Sequence, residues 1–236
     1  MTQPVAPGSR PVRVVAVLGM HRSGTSALTG SLEQHGLFLG DVSTSNRHNL
    51  KGDREIRELR LLNEAVLRSS GGAWHTPPRV VTWDAAHKER AANLLAEHGR
   101  RAVWGFKDPR TLLTLDGWAA LVPDLERVGV FRHPLWVARS LERKNGLSID
   151  DAVALWQVYN RVLLEELRRQ PFPLLCFDEE PDALQDKLGA AAQALGLRER
   201  PQEERFFAPE LRHAEPAGAA PPAAQALYEE LRTLAL

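Results

Sequence analysis

The sequence predicts an α/β fold of three layers, α/β/α, around a central parallel sheet. Three observations carry this. Short runs of β-branched and apolar residues recur four times; each leads into a segment of helical period; and the first run, Val12 to Leu18, is apolar nearly throughout, as in a strand covered on both faces. Strands alternating with helices pair in parallel through crossovers that cover both faces of the sheet. At 236 residues and 43% hydrophobic, the chain has material for one substantial core. A single domain over 1–236 is expected, with 1–11 disordered and 197–236 partly flexible.

Each element follows from local sequence. Val12 to Leu18 is the first strand, and Thr25 to His35 continues as a helix. Gly36 to Arg54 reads as a polar connection through Ser43, Thr44, Ser45, Asn46, Asn49 and Gly52, and connections this long tend to be functional. Helical spacing returns over Glu55 to Leu67 until Ser69-Ser70-Gly71-Gly72 stops it. Trp74 to Trp83 is broken by prolines. Asp84 then caps a helix running to about His98, where Gly99 ends it.

Ala102 to Phe106 is the second strand, and Asp108-Pro109 reads as the N-cap and first residue of the next helix. Leu125 to Phe131 is the third strand and Leu135 to Arg143 a helix. Ile149 to Arg169 is one long amphipathic helix, Leu174 to Phe177 the fourth strand, and Pro181 to Leu195 its helix. After Gly196 the composition turns charged, then Ala/Pro-rich over Glu215 to Ala224, a flexible connection to a last short helix.

Thirty basic and thirty acidic residues cancel, which argues against nucleic acid or an anionic membrane as the main partner. Cys176, the single cysteine, excludes an internal disulfide framework and reads as a small buried strand residue in a reducing compartment. No segment has the roughly 18 consecutive apolar residues of a membrane span, and MTQPVAPGSR lacks an apolar signal core. A soluble, cytoplasmic protein is expected.

The chemistry concentrates after the first strand. Gly19-Met20-His21-Arg22-Ser23-Gly24-Thr25-Ser26 matches the phosphate loop G-x-x-x-x-G-K-[ST] at every fixed position but one, with Thr25 where lysine belongs. The fold expected is therefore like that of P-loop nucleoside triphosphatases. Gly19 and Gly24 allow the backbone to wrap an oxyanion at the helix N-terminus. That terminus contributes only about 0.3 to 1 kcal/mol, so a polyanion needs a side-chain cation as well, and Arg22 is the one in the loop. In open parallel sheets ligands bind beyond the carboxyl ends of the strands. Lys107 follows the second strand and Arg132 the third, so three cations converge on one crevice.

Arg22-Ser23-Gly24-Thr25-Ser26 resembles the 5′-phosphosulfate loop of sulfotransferases that use 3′-phosphoadenosine 5′-phosphosulfate (PAPS). Arg132 and Ser140, eight positions later, resemble the pair that clamps the 3′-phosphate in that family. Asn49-Leu50-Lys51-Gly52 through Glu55 to Leu62-Asn63-Glu64 looks like the N-x-x-G-x-x-E…L-N-E stretch of bacterial members. Gly105-Phe106-Lys107-Asp108-Pro109-Arg110 looks like their K-D-P-[RF] segment. The resemblance covers residues 12 to 178. It implies PAPS as co-substrate, no required metal, and a hydroxyl or amine of a small-molecule or carbohydrate acceptor. A transferring sulfuryl group carries less charge than a γ-phosphoryl group, so protein cations and N–H dipoles can neutralise it.

The resemblance implies the roles. Glu55 is the base that takes the acceptor proton, with Asp53, His48 and His75 in reserve; a helix N-terminal acid is the structural alternative. Arg22 and Lys107 stabilise charge on the leaving phosphate, although Lys107 also reads as an exposed strand end. Ser23, Gly24, Thr25 and Ser26 hold the 5′-phosphate, where Thr25 and Ser26 could equally cap the helix. Arg132 and Ser140 hold the 3′-phosphate. Arg212, with His213 after Phe206-Phe207, resembles a late segment that closes over the nucleotide; a surface helix is the alternative.

Asp178 imitates the Mg²⁺-binding aspartate of nucleoside triphosphatases but reads better as a strand-ending acid. Arg139 reads as solvated, and the six tryptophans mostly as core, with Trp74 and Trp83 candidates for an acceptor pocket or adenine stacking. Two competing functions remain: a small-molecule kinase with a divergent phosphate loop, and a nucleotide-binding module without catalysis.

Overall fold

In the computed structural model, described over residues 13–44, 52–98, 101–198, 206 and 218–236, β1 (Arg13–Leu18) lies between two parallel neighbours, β2 (Val103–Lys107) and β3 (Glu126–Phe131). β4 (Leu174–Cys176) pairs in parallel with β3, giving the order β2-β1-β3-β4. The side-chain period of two sorts β1 cleanly. Val15 and Val17 join one buried cluster, while Val14, Ala16 and Leu18 join the other. α1 (Thr25–Gln34) and α7 (Pro181–Ala194) cover the first face through Leu28, Leu32, Leu184 and Leu188.

The opposite face carries α2 (Arg57–Ser69), α3 (Ala85–His98), α4 (Thr111–Leu121), α5 (Pro134–Asn145), α6 (Ile149–Arg169) and α8 (Pro222–Leu234). The expected three layers are present. Among the described residues, no helix is long and apolar enough to cross a membrane.

Helix boundaries follow local chemistry. Ser148 caps α6 by accepting from Asp151 N at 3.1 Å, Asp150 and Asp151 occupy its first turn, and Arg168 and Arg169 its last, all favourable to the helix dipole. Asp84 caps α3, its carboxylate accepting from His87 N at 2.8 Å. His133 caps α5 with Pro134 at the first position, and left-handed Gly146 closes it. Leu236 N donates to Leu174 O at 2.9 Å, tying the C-terminus to β4.

Three expectations are corrected. Within the supposed polar connection, Leu37 and Leu39 are buried in the core, and Phe38 forms a parallel bridge with Trp104, accepting from Gly105 N at 2.8 Å. Three consecutive apolar residues cover the edge of β2 where the surrounding polar composition had hidden them. Glu55 precedes α2 instead of starting it. Its carbonyl accepts from Ser43 N at 3.2 Å and Arg54 N donates to Ser43 O at 3.1 Å, so this backbone is paired before the helix begins. Asp108 is not the N-cap of α4, which is Arg110. The Asp108 carboxylate has two tasks: Oδ1 accepts from Arg110 N at 3.2 Å in the turn before the helix, and Oδ2 joins an interior network.

The expectations for residues 1–11, His48, Asn49 to Lys51, Gly99 and Arg212-His213 lie outside the described residues, as does most of the segment 197–217.

Candidate active site

The loop after β1 owes its shape to three left-handed or extended-positive positions: Gly19 at φ 152°, Arg22 at 70° and Gly24 at 92°. Gly24 is the N-cap of α1. A Cβ on Gly24 would strike the Phe177 ring, and one on Gly19 would strike Val130 O, so only glycine lets β3 and the end of β4 approach the loop. Ser23 is fully buried, and its Oγ has no hydrogen-bond partner among the described residues. A buried hydroxyl without a partner, in a loop only glycines can form, fits a cradle for a phosphate or sulfate oxygen.

Beside the loop lies a cavity of about 520 Å³. Of the predicted site residues, Arg22, Thr25, Ser26, Glu55 and Lys107 line it, as does the reserve base Asp53. Ser26 Oγ donates to Asp53 O at 3.2 Å. Lys107 Nζ donates to Glu55 Oε1 at 2.9 Å, and the lysine side chain is only 2% exposed. Burial pushes the Glu55 carboxyl up, and Lys107 opposes that shift only in part. His75, the other described reserve, packs its ring edge-on against Trp74 instead of lining the cavity.

Arg132 and Ser140 are not cavity-lining, but they reach the loop by two routes. Arg22 Nε donates to Ser140 Oγ at 2.8 Å, joining the loop cation to α5. Arg132 lies 4.1 Å over the Trp136 ring and 5.4 Å from that of Phe177, which itself presses on Gly24. Its Nε donates to Asp178 Oδ1 at 3.3 Å.

Asp178 is more than a strand-ending acid. It also accepts from His133 N at 2.5 Å and Tyr228 OH at 3.2 Å, so α8 buttresses the arginine through it. Arg139 is solvated, and among the described residues it pairs with Glu142 at 3.4 Å. Trp83 packs on Trp118 and Gly117 in the core, whereas Trp74 stands 4.5 Å from His21 at the cavity.

Several residues of the site carried no role in the sequence reading. Lys144, in the last turn of α5, lines the cavity; burial first, and then Arg22, lower its pKa. Arg57, Arg60 and Arg110 line it too. Behind them Asn63 sits at the centre of a buried network, donating to Asp108 Oδ2 at 2.8 Å and Thr111 Oγ1 at 3.1 Å, and accepting from Thr114 Oγ1 at 3.0 Å and Trp118 Nε1 at 2.9 Å. Asp108 in turn holds Arg110 at 2.8 Å. The signal for this network was present in Leu62-Asn63-Glu64, a polar pair on an apolar helical face.

His21 lines the cavity with both ring nitrogens buried and no partner among the described residues. Burial above all, then Arg110, Lys107, Arg22 and Lys144, holds its pKa well below 6.5, so the ring is neutral. The unfolded chain therefore binds a proton that the native state refuses. Stability is full above about pH 6.5 and falls as the pH drops, by about 1.4 kcal/mol per unit. In urea unfolding between pH 7 and 5, His21→Phe is expected to lose less stability than the wild type by that slope; parallel curves would contradict it.

No protein-family model matches the chain, and no curated protein matches it. Among solved structures, it is similar to the sulfotransferase domain of the olefin synthase from Synechococcus PCC 7002, at 18% identity and a TM-score of 0.53 over 100% of this chain and 93% of that one. The chain has the fold of a sulfotransferase domain, three-layered and P-loop-like.

Proposed function

We propose that this protein is a single-domain cytoplasmic sulfotransferase that moves a sulfuryl group from PAPS to a hydroxyl or amine of a small-molecule or carbohydrate acceptor. One observation carries the reading: the loop cation Arg22, the Lys107–Glu55 pair and a lysine-free glycine loop meet in one cavity at the carboxyl ends of β1 and β2. In this reading the acceptor oxygen attacks sulfur as the sulfur–oxygen bond to the 5′-phosphate breaks. Glu55 takes the acceptor proton, and Arg22 and Lys107 take up the charge left on the phosphate. Ser23, Gly24, Thr25 and Ser26 hold the 5′-phosphate. Arg132 and Ser140 hold the 3′-phosphate, and Arg212 is assigned to cover the nucleotide.

The position of Glu55 in the cavity wall favours an enzyme over a passive nucleotide-binding module. The kinase reading has a weaker basis, because Asp178 is committed to Arg132, His133 and Tyr228. Titration calorimetry with adenosine 3′,5′-bisphosphate and with ATP plus Mg²⁺ separates the two. The bisphosphate is expected to bind tighter, and Arg132→Ala to weaken it about 10- to 100-fold, the loss of one or two charged hydrogen bonds. Tighter binding of the ATP complex would overturn the proposal.

A further inference from the structure

The cavity is also charged on its α2 side. Arg57 and Arg60 are three residues apart on α2 and therefore share a face, and Arg110 comes from the turn after β2. Glu64 binds them together, accepting from Arg60 at 2.9 Å and from Arg110 at 3.1 Å. Asp108 braces Arg110 from the interior.

Each side of the cavity carries an excess of positive charge. On the loop side Arg22 and Lys144 face Asp53, and Lys107 is matched by Glu55. The one positive charge left there, with the dipole and N–H groups of the α1 terminus, is suited to part of a phosphosulfate. On the α2 side three arginines meet two carboxylates, Glu64 and Asp108. Among the described residues Arg57 pairs with Glu58, at 3.8 Å, and both side chains are mostly exposed, a pairing of little energetic weight. One positive charge therefore remains uncompensated on this wall.

A second observation points the same way. Arg110 is only 9% exposed and lines the cavity, yet its Nε is buried with no hydrogen-bond partner among the described residues. A buried guanidinium N–H without an acceptor is costly, and a ligand oxygen relieves the cost.

We infer that Arg57, Arg60 and Arg110 form a subsite for a carboxylate on the acceptor, so that the acceptor class is a hydroxy acid or uronic-acid-like molecule and not a neutral alcohol. This rests on the sulfotransferase reading for the word acceptor, but the subsite itself does not. Guanidinium forks match carboxylate geometry, and bidentate contacts fix orientation as well as charge. Held there, the acceptor would present its hydroxyl to Glu55, which precedes Arg57 by two residues.

Two matched probe pairs test the subsite by calorimetry, each with and without saturating adenosine 3′,5′-bisphosphate: benzoate against benzyl alcohol, and glucuronate against glucose. The carboxylate of at least one pair is expected to bind at least about tenfold tighter than its neutral partner, with the preference shrinking at high salt. Arg57→Gln combined with Arg60→Gln should abolish the preference and leave bisphosphate affinity unchanged. Carboxylates that bind no tighter than the neutral probes, or a preference that survives in the double variant, would overturn the subsite. Failure of the bisphosphate to bind would instead sink the donor reading, so the two failures are distinguishable.

Discussion

Glu55→Gln is expected to slow sulfuryl transfer by about 10²- to 10⁴-fold while leaving adenosine 3′,5′-bisphosphate affinity intact, because the amide keeps the shape of the carboxylate but cannot take a proton. Single-turnover transfer and calorimetry on the same preparation measure both. The pH profile adds a second test. A base must be ionised to work, and burial raises the Glu55 pKa. Activity is therefore expected to fall, as the pH is lowered, at a point above the ordinary carboxylate range. Lys107, 2% exposed, loses its counter-charge in the variant, and breaking a buried pair costs about 3 to 5 kcal/mol, so folding is checked by thermal melting. Wild-type transfer by a folded Glu55→Gln variant would move the base elsewhere, with Asp53 first in line.

Asn63→Leu is expected to destabilise the fold by about 3 to 5 kcal/mol although leucine is close in volume. The asparagine makes four side-chain hydrogen bonds inside the protein. Removing its amide strands an Asp108 oxygen and the Trp118 indole N–H in a buried site, and leaves the Thr114 hydroxyl only longer bonds to the Arg110 and Thr111 carbonyls. Urea unfolding measures the change, and a cost below about 1 kcal/mol would show that the network relaxes easily. Because Asp108 also orients Arg110, the variant should disturb the α2 wall more than the glycine loop.

The contrast between these two residues shows what sequence could and could not supply. The place of Glu55 in the cavity wall was legible through the resemblance of Asn49 to Glu64 to a family stretch, set after a polar connection and ahead of an apolar helix. The strands were legible from local pattern, and α6 begins and ends where its cap and its charges say. Asn63 and Asp108 are 45 residues apart, and nothing in either neighbourhood announces the other.

The Asp108-Pro109 pair marks the turn into α4, where Asp108 Oδ1 accepts from Arg110 N at 3.2 Å, but local capping rules describe a chain in isolation and say nothing of its other oxygen, which is bound to Asn63. Asp178 illustrates the same limit, since its partners include a tyrosine 50 residues away on α8. Lys144 was read past because a basic residue in a last helical turn already has a local explanation. Arg57 and Arg60 carry no motif of their own, and only the tertiary placement of α2 makes them line the cavity.

Thr25 bears on how this loop could have diverged from its triphosphate-binding counterparts. It is 4% exposed, and its methyl group lies 2.8 Å from where a side chain on Gly19 would begin, so the position that elsewhere holds lysine is here part of the packing. The cation instead sits at Arg22, on a left-handed residue latched to Ser140. Interconverting the two loops takes more than one codon: a lysine at 25 must displace packed atoms before it reaches a ligand. Lysine at this position is therefore excluded by packing before it is excluded by chemistry, and Thr25→Lys alone does not make a triphosphate loop of this one.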